Sequence, residues 1–157
     1  MSRDATIEQI LIRHELHELA LRYAQSVDRR RYAGFREIFT EKGSIHGHRA
    51  DPATSKPLFS IEGRETIVES MSRIEQYLKT QHHVTNQLVE IDGERASGET
   101  YCTAHHIYLK DDKPWNLTMA IRYQDKFVRE SDRWYFEERR LWIDCERHES
   151  LGEEGWA

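Results

Sequence analysis

Near Thr80 the apolar residues of this chain stop recurring at helical spacing and begin to alternate, and that switch limits the folds open to it. Upstream, Ile7, Ile10 and Leu11, then Leu16, Leu19, Ala20, Tyr23 and Val27 are spaced as one apolar stripe of a helix. Thr6 with Gln9 reads as its capping box. Tyr32, Phe35, Ile38 and Phe39 share a side of a second short helix, which Glu41-Lys42-Gly43 ends. Ser44 to His48 and Leu58 to Ile61 read as a short hairpin about a loop from Asp51 to Pro57. Gly63-Arg64-Glu65 opens a third helix bearing Ile67, Met71, Ile74 and Leu78.

Downstream the period is two. Strands are predicted over 81–91, 95–109, 115–123 and 134–143, with turns at Asp92-Gly93, Asp111 to Pro114 and Glu130-Ser131-Asp132. Trp115, Leu117, Met119, Ile121 and Tyr123 alternate strictly with polar residues. Helices first and then a four-stranded antiparallel meander define an α+β architecture. Such a sheet, curved around the long helix, makes a cone whose mouth holds a small molecule. The chain reads as a single domain over residues 1–157, with a core of about 5–145 and a frayed tail at 146–157 in which Trp156 is free to dock.

Composition removes several function classes. The 157 residues carry 23 Lys+Arg against 28 Asp+Glu, a formal net charge of −5, which argues against a nucleic-acid partner. The run Arg29-Arg30-Arg31 reads as a solvated helix start. Apolar runs are too short for a membrane span, and the N-terminus lacks the apolar core of a signal peptide. Cys102 and Cys145 form no CxxC pair and read as reduced thiols. A cytoplasmic protein is expected.

The nine histidines carry most of the chemical information. In the second meander strand Gly98, Thr100, Cys102, Ala104 and His106 share one face. Their small size leaves space there, into which His106 projects. In the preceding strand His82, Val84 and Asn86 share a face opposite to His83, Thr85 and Gln87, so one member of the His82/His83 pair faces inward. Asp28 ends the first helix, where the macrodipole disfavours a carboxylate, so it needs an imidazole or the neighbouring arginines as compensation. Tyr23, five residues earlier, is placed to line the same cavity mouth. One of Arg139 and Arg140 faces the cavity. His46 and His48 with His82 and His106 are an alternative zinc set, although HExxH, CxxC and fixed metal spacing are all missing.

The element order, together with the segments Tyr23-Ala-Gln-Ser-Val-Asp28, Thr80-Gln-His82-His-Val-Thr-Asn86 and Trp134-Tyr-Phe-Glu-Glu-Arg139, resembles the SnoaL-like family of the nuclear-transport-factor-2-like superfamily. The resemblance implies a cystatin-like roll and an Asp–His pair of the kind used by scytalone dehydratase, bile-acid 7α-dehydratase and lindane dehydrochlorinase. Asp28 and His82 occupy the positions of that pair. His106 falls at a second active-site histidine, Tyr23 at a catalytic tyrosine and Arg139 at a late-strand arginine. Val27 and Gly47 stand where scytalone dehydratase has tyrosines.

The implied function is cofactor-free, metal-free dehydration or isomerisation of a small hydrophobic cyclic or polyketide/steroid-like substrate, by a lyase or isomerase that forms dimers or trimers. In this reading His82 is the base, Asp28 orients it, and Tyr23 or His106 holds the departing hydroxyl or the oxyanion. Arg139, Asn86 and Cys102 contact substrate. The competing reading is a non-catalytic ligand-binding or subunit-interaction protein, with Trp115, Leu117, Met119 and Ile121 as its interface. Epoxide hydrolysis would need a second Asp on the strands, for which no candidate stands out.

Overall fold

The computed structural model describes residues 3–152, with side chains from Thr6 onward. Helix α1 spans Arg3–Asp28 and α2 spans Arg64–Ser70. Short 3₁₀ helices cover Tyr32–Glu37 and Met71–Gln76. The strands are β1 Phe39–His48, β2 Phe59–Glu62, β3 Lys79–Asp92, β4 Arg95–Lys110, β5 Lys113–Glu130 and β6 Arg133–Ser150. They form one curved, unclosed sheet in the order β2-β1-β6-β5-β4-β3. All neighbours are antiparallel except β1 and β6. This is the expected α+β cone.

The meander follows from alternation and tight turns. Asp111, Asp112, Ser131 and Asp132 all take positive φ, as two-residue type I′ hairpins require. Three interruptions of the ladders, between Val84 and Gln87, at Glu137 and at Asp144, bend the long strands. Inside the bend lies α1, whose Leu16, Leu19, Ala20, Tyr23, Ala24 and Val27 are all buried. Ile7, Ile10 and Leu11 prolong the same repeat but are 47–59% exposed.

Four local expectations need correction. Helix α1 begins at Arg3, so Thr6 lies within it and is not its cap. The second helix is a single 3₁₀ stretch ending at Glu37; Glu41-Lys42-Gly43 lies inside β1, because Phe39 and Ser44–His48 pair in parallel with β6. Such long-range pairing leaves no local signature. The third helix tightens to 3₁₀ at Met71 and leaves Leu78 outside it. Residues 146–150 are not a tail: they pair with β5 as far as Trp115↔Ser150. Trp156 lies outside the described residues.

The arginine run follows α1 and is not simply solvated. Arg30 takes positive φ and turns its guanidinium back. It donates to Val27 O at 2.9 Å, Tyr77 O at 3.1 Å and Thr80 Oγ1 at 2.8 Å. One side chain thus satisfies a C-terminal helix carbonyl and ties α1 to the start of β3. Arg30→Ala keeps the backbone conformation and removes three bonds. It should lower stability by about 1–3 kcal/mol in urea titrations.

Candidate active site

The joint between α1 and β3 places Asp28 against His82. The His82 backbone N–H donates to Asp28 Oδ2 at 2.9 Å, and its ring Nδ1 bonds Oδ1 at 2.7 Å. Burial alone would raise the Asp28 carboxyl. The two hydrogen bonds and the charge of His82 outweigh burial and hold it below its ordinary value. An ionised carboxylate only accepts hydrogen bonds, so Nδ1 carries the proton and Nε2 is left bare in the neutral ring. The carboxylate at the helix end is thereby compensated by an imidazole and a backbone amide, while Arg30 serves the helix carbonyl.

His82 opens onto a cavity of about 280 Å³. Its wall is largely apolar: Val27, Ile45, Ile61, Met71, Ile74, Met119, Ile121, Leu141 and Ile143. The inner polar groups are Tyr23, Tyr77, Tyr123, His82 and His106. The His82 and His106 rings meet edge-to-face at 5.3 Å, and Tyr77 packs on His106 at 4.6 Å. Asp28 stands behind His82, outside the cavity wall.

His106 is 3% exposed, and its Nδ1 has no protein partner. Burial, reinforced by the nearby His82, pushes its pKa down to about 4, so it is neutral near pH 7. The unfolded chain takes up this proton near pH 6.5 and the folded chain only near 4. Stability is therefore unaffected above pH 6.5 and falls as pH drops toward 4. The full loss is on the order of 3 kcal/mol. His106→Phe should remove most of that slope in urea titrations at pH 7 and pH 4.5, measured against the native protein.

Tyr23 is buried, and its hydroxyl is pushed up to about 12 by burial, which outweighs the pull of Arg139. It therefore stays protonated and can donate. Cys102 is also buried, with its thiol raised to about 11 by burial, and it lies outside the cavity wall.

Arg139 does not reach the cavity. The extra residue Glu137 shifts the alternation of β6 so that Arg139 points inward. There Nε and Nη2 each donate to Asp125 at 2.8 Å, with both side chains fully buried. Its guanidinium lies 4.1–4.3 Å from the ring centres of Tyr23, Tyr123 and Phe136. It braces two cavity tyrosines from behind. Arg140 points outward onto Glu138. Asp125 is also the strand aspartate that the sequence reading lacked, but its charge is matched and buried away from the cavity.

Asn86 is displaced by the bulge between Val84 and Gln87. It is exposed, and Gln87 turns toward the interior and donates to Thr100 Oγ1 at 3.1 Å. Strict alternation could not foresee that extra residue. The stripe proposed as an interface turns inward instead: Met119 and Ile121 line the cavity and Leu117 is buried.

His46 is held by Ser44 and Ser60, and His48 by Ser55. Among the described residues no three His, Cys, Asp or Glu side chains gather as a metal site. Over Gly47 the space is filled by the ring of Phe59, another cavity residue, which a Cβ at position 47 would strike. Tyr77, Phe59 and Arg73 are cavity residues that sequence reasoning missed. They come from a 3₁₀ segment, the bend that follows it and an edge strand, where no periodicity marks a face.

The site can be set beside known proteins. An uncharacterized protein of Mycobacterium tuberculosis is 28% identical over 131 residues, covering 82% of this chain and 83% of its own length. The fold is similar to that of a Novosphingobium aromaticivorans protein provisionally assigned as a scytalone dehydratase (TM-score 0.74, 19% identity, 90% of each chain). It is also similar to hexachlorocyclohexane dehydrochlorinase of Novosphingobium barchaimii (TM-score 0.77, 12% identity, 97% of this chain and 98% of that one). No described helix is long and apolar enough to cross a membrane. Residues 8–140 match the SnoaL-like domain, and the chain belongs to that family.

Proposed function

We propose that this protein removes a proton from a small apolar cyclic substrate, with His82 as base and Asp28 as its orienting partner. The observation that carries the reading is the Asp28–His82 pair, with Nδ1 engaged by the carboxylate and His82 in the wall of an apolar cavity. Exclusion of water strengthens the hold of Asp28 on the imidazolium that forms. In an elimination, His82 takes the proton from carbon, the electron pair becomes the double bond, and the hydroxyl leaves as water after receiving that proton. In a double-bond shift the proton returns to another carbon. Tyr23 and His106, both neutral near pH 7, donate hydrogen bonds to the departing hydroxyl or the developing oxyanion. The side chains supply base and donors, so the chemistry calls on no cofactor. The relatives named for loss of water and of hydrogen chloride support an elimination.

An engineered apolar cavity of about 150 Å³ holds benzene, so about 280 Å³ suits two fused rings. Incubating 2-tetralone, a bicyclic ketone with acidic protons beside its carbonyl, in deuterated buffer tests the reading by proton NMR. The protein should accelerate exchange of those protons. Binding without any exchange would favour the non-catalytic ligand-binding reading.

A further inference from the structure

The cavity wall is electrically lopsided. The chain as a whole is acidic, yet no carboxylate lines this cavity, and Arg73 is its one cation among the described lining residues. Arg73 belongs to the 3₁₀ segment that also supplies Ile74, and Tyr77, which directly follows that segment, packs on His106. Arg73 is exposed, so it stands where the wall meets solvent. Its guanidinium has no hydrogen-bond or ion-pair partner among the described residues, whereas Arg36, Arg49, Arg95, Arg122 and Arg139 each pair with a carboxylate. Its own carbonyl accepts from Gln76 Nε2 at 2.9 Å, which stiffens the segment. Deeper in, His106 and Tyr23 offer only neutral donors.

We propose that Arg73 makes this cavity selective for an apolar ring system carrying a carboxylate, with the ring seated among the apolar side chains and the carboxylate paired with Arg73 at the opening. The proposal rests on the cavity being the substrate site and names the class of substrate it accepts. A guanidinium holds a carboxylate by two parallel bonds, which a single ammonium cannot copy.

Calorimetric binding of 2-naphthoate and its neutral isostere 2-naphthamide tests this. The native protein should prefer naphthoate by about two- to fivefold at low salt, the range of an exposed ion pair, and lose much of that preference at high salt. Arg73→Gln should abolish the preference while leaving naphthamide binding unchanged, and Arg73→Lys should retain only part of it. An unchanged preference in Arg73→Gln overturns the proposal, and so does failure of both probes to bind the native protein. Neither probe has a leaving group, so failure of the elimination chemistry would leave this ratio intact. Loss of the ratio would equally leave proton abstraction by His82 standing.

Discussion

His82→Ala should lower the rate of proton exchange or elimination by about 10²–10⁴-fold, the usual contribution of a positioned general base. Asp28→Asn should fall in the same range, for a different reason. The carboxylate accepts both the backbone N–H and the Nδ1–H of His82, one at each oxygen. An amide has one oxygen to accept and an NH₂ that donates. If the oxygen keeps the backbone N–H, the NH₂ faces Nδ1 and draws the proton to Nε2, the nitrogen that must be bare. The base is then in the wrong tautomer although its position is unchanged, and the imidazolium has lost its counter-charge. Both variants should keep the fold by circular dichroism and bind a bicyclic ketone about as tightly as the native protein, with the loss in turnover. A variant that kept full activity would remove its residue from the mechanism. Because Asp28 is held below its ordinary value, the pairing should persist as pH falls through the usual carboxylate range, and be lost only as pH falls through the lowered folded value.

Removing one member of the Asp125–Arg139 pair should be the most destabilising change in the chain. Both side chains are fully buried, and Arg139 is also clasped by Tyr23, Tyr123 and Phe136. Burial works against the guanidinium charge, but the facing carboxylate outweighs it and keeps Arg139 protonated. Asp125→Leu strands that charge in an apolar, aromatic surround and should cost about 3–5 kcal/mol in urea unfolding, a large share of a typical domain's stability. Arg139→Met should cost less, because an unpaired buried carboxyl can take up a proton and become neutral. The double variant Asp125→Leu/Arg139→Met should recover much of the loss, since an apolar pair of similar volume avoids desolvating two charges. Additive losses in the double variant would show that the two residues stabilise the fold independently. The Arg139→Met variant should also loosen Tyr23, and so lower turnover without changing the base.

What could be read from the residues alone divides along physical lines. The meander was legible because alternation is local and its turns carry Asp and Gly residues suited to positive φ. The inward face of β4 was legible for the same reason: Thr100, Cys102, Ala104 and His106 are all buried. The α1 core from Leu16 to Val27 followed from helical spacing. The reading failed where a single extra residue shifts the count, as at Asn86 and Gln87. Arg139 was placed inward but assigned to the substrate rather than to Asp125, whose pairing spans two strands. The parallel contact of β1 with β6, and with it Phe39 and His46, depends on residues nearly a hundred positions apart. Arg30 was read as solvated, and Tyr77 and Arg73 escaped notice, because each sits in a turn, a bend or a 3₁₀ segment, where function depends on reach and not on period.

The most direct measurement needs no substrate. Long-range ¹⁵N–¹H correlation spectra of histidine-labelled protein report which ring nitrogen of each neutral imidazole carries the proton. For His82, assigned by its loss in His82→Ala, protonation at Nδ1 with a bare Nε2 is expected, shifting toward the other tautomer in Asp28→Asn. A native His82 protonated at Nε2, or a tautomer indifferent to Asp28→Asn, would contradict the claim that Asp28 sets His82 as a base facing the cavity.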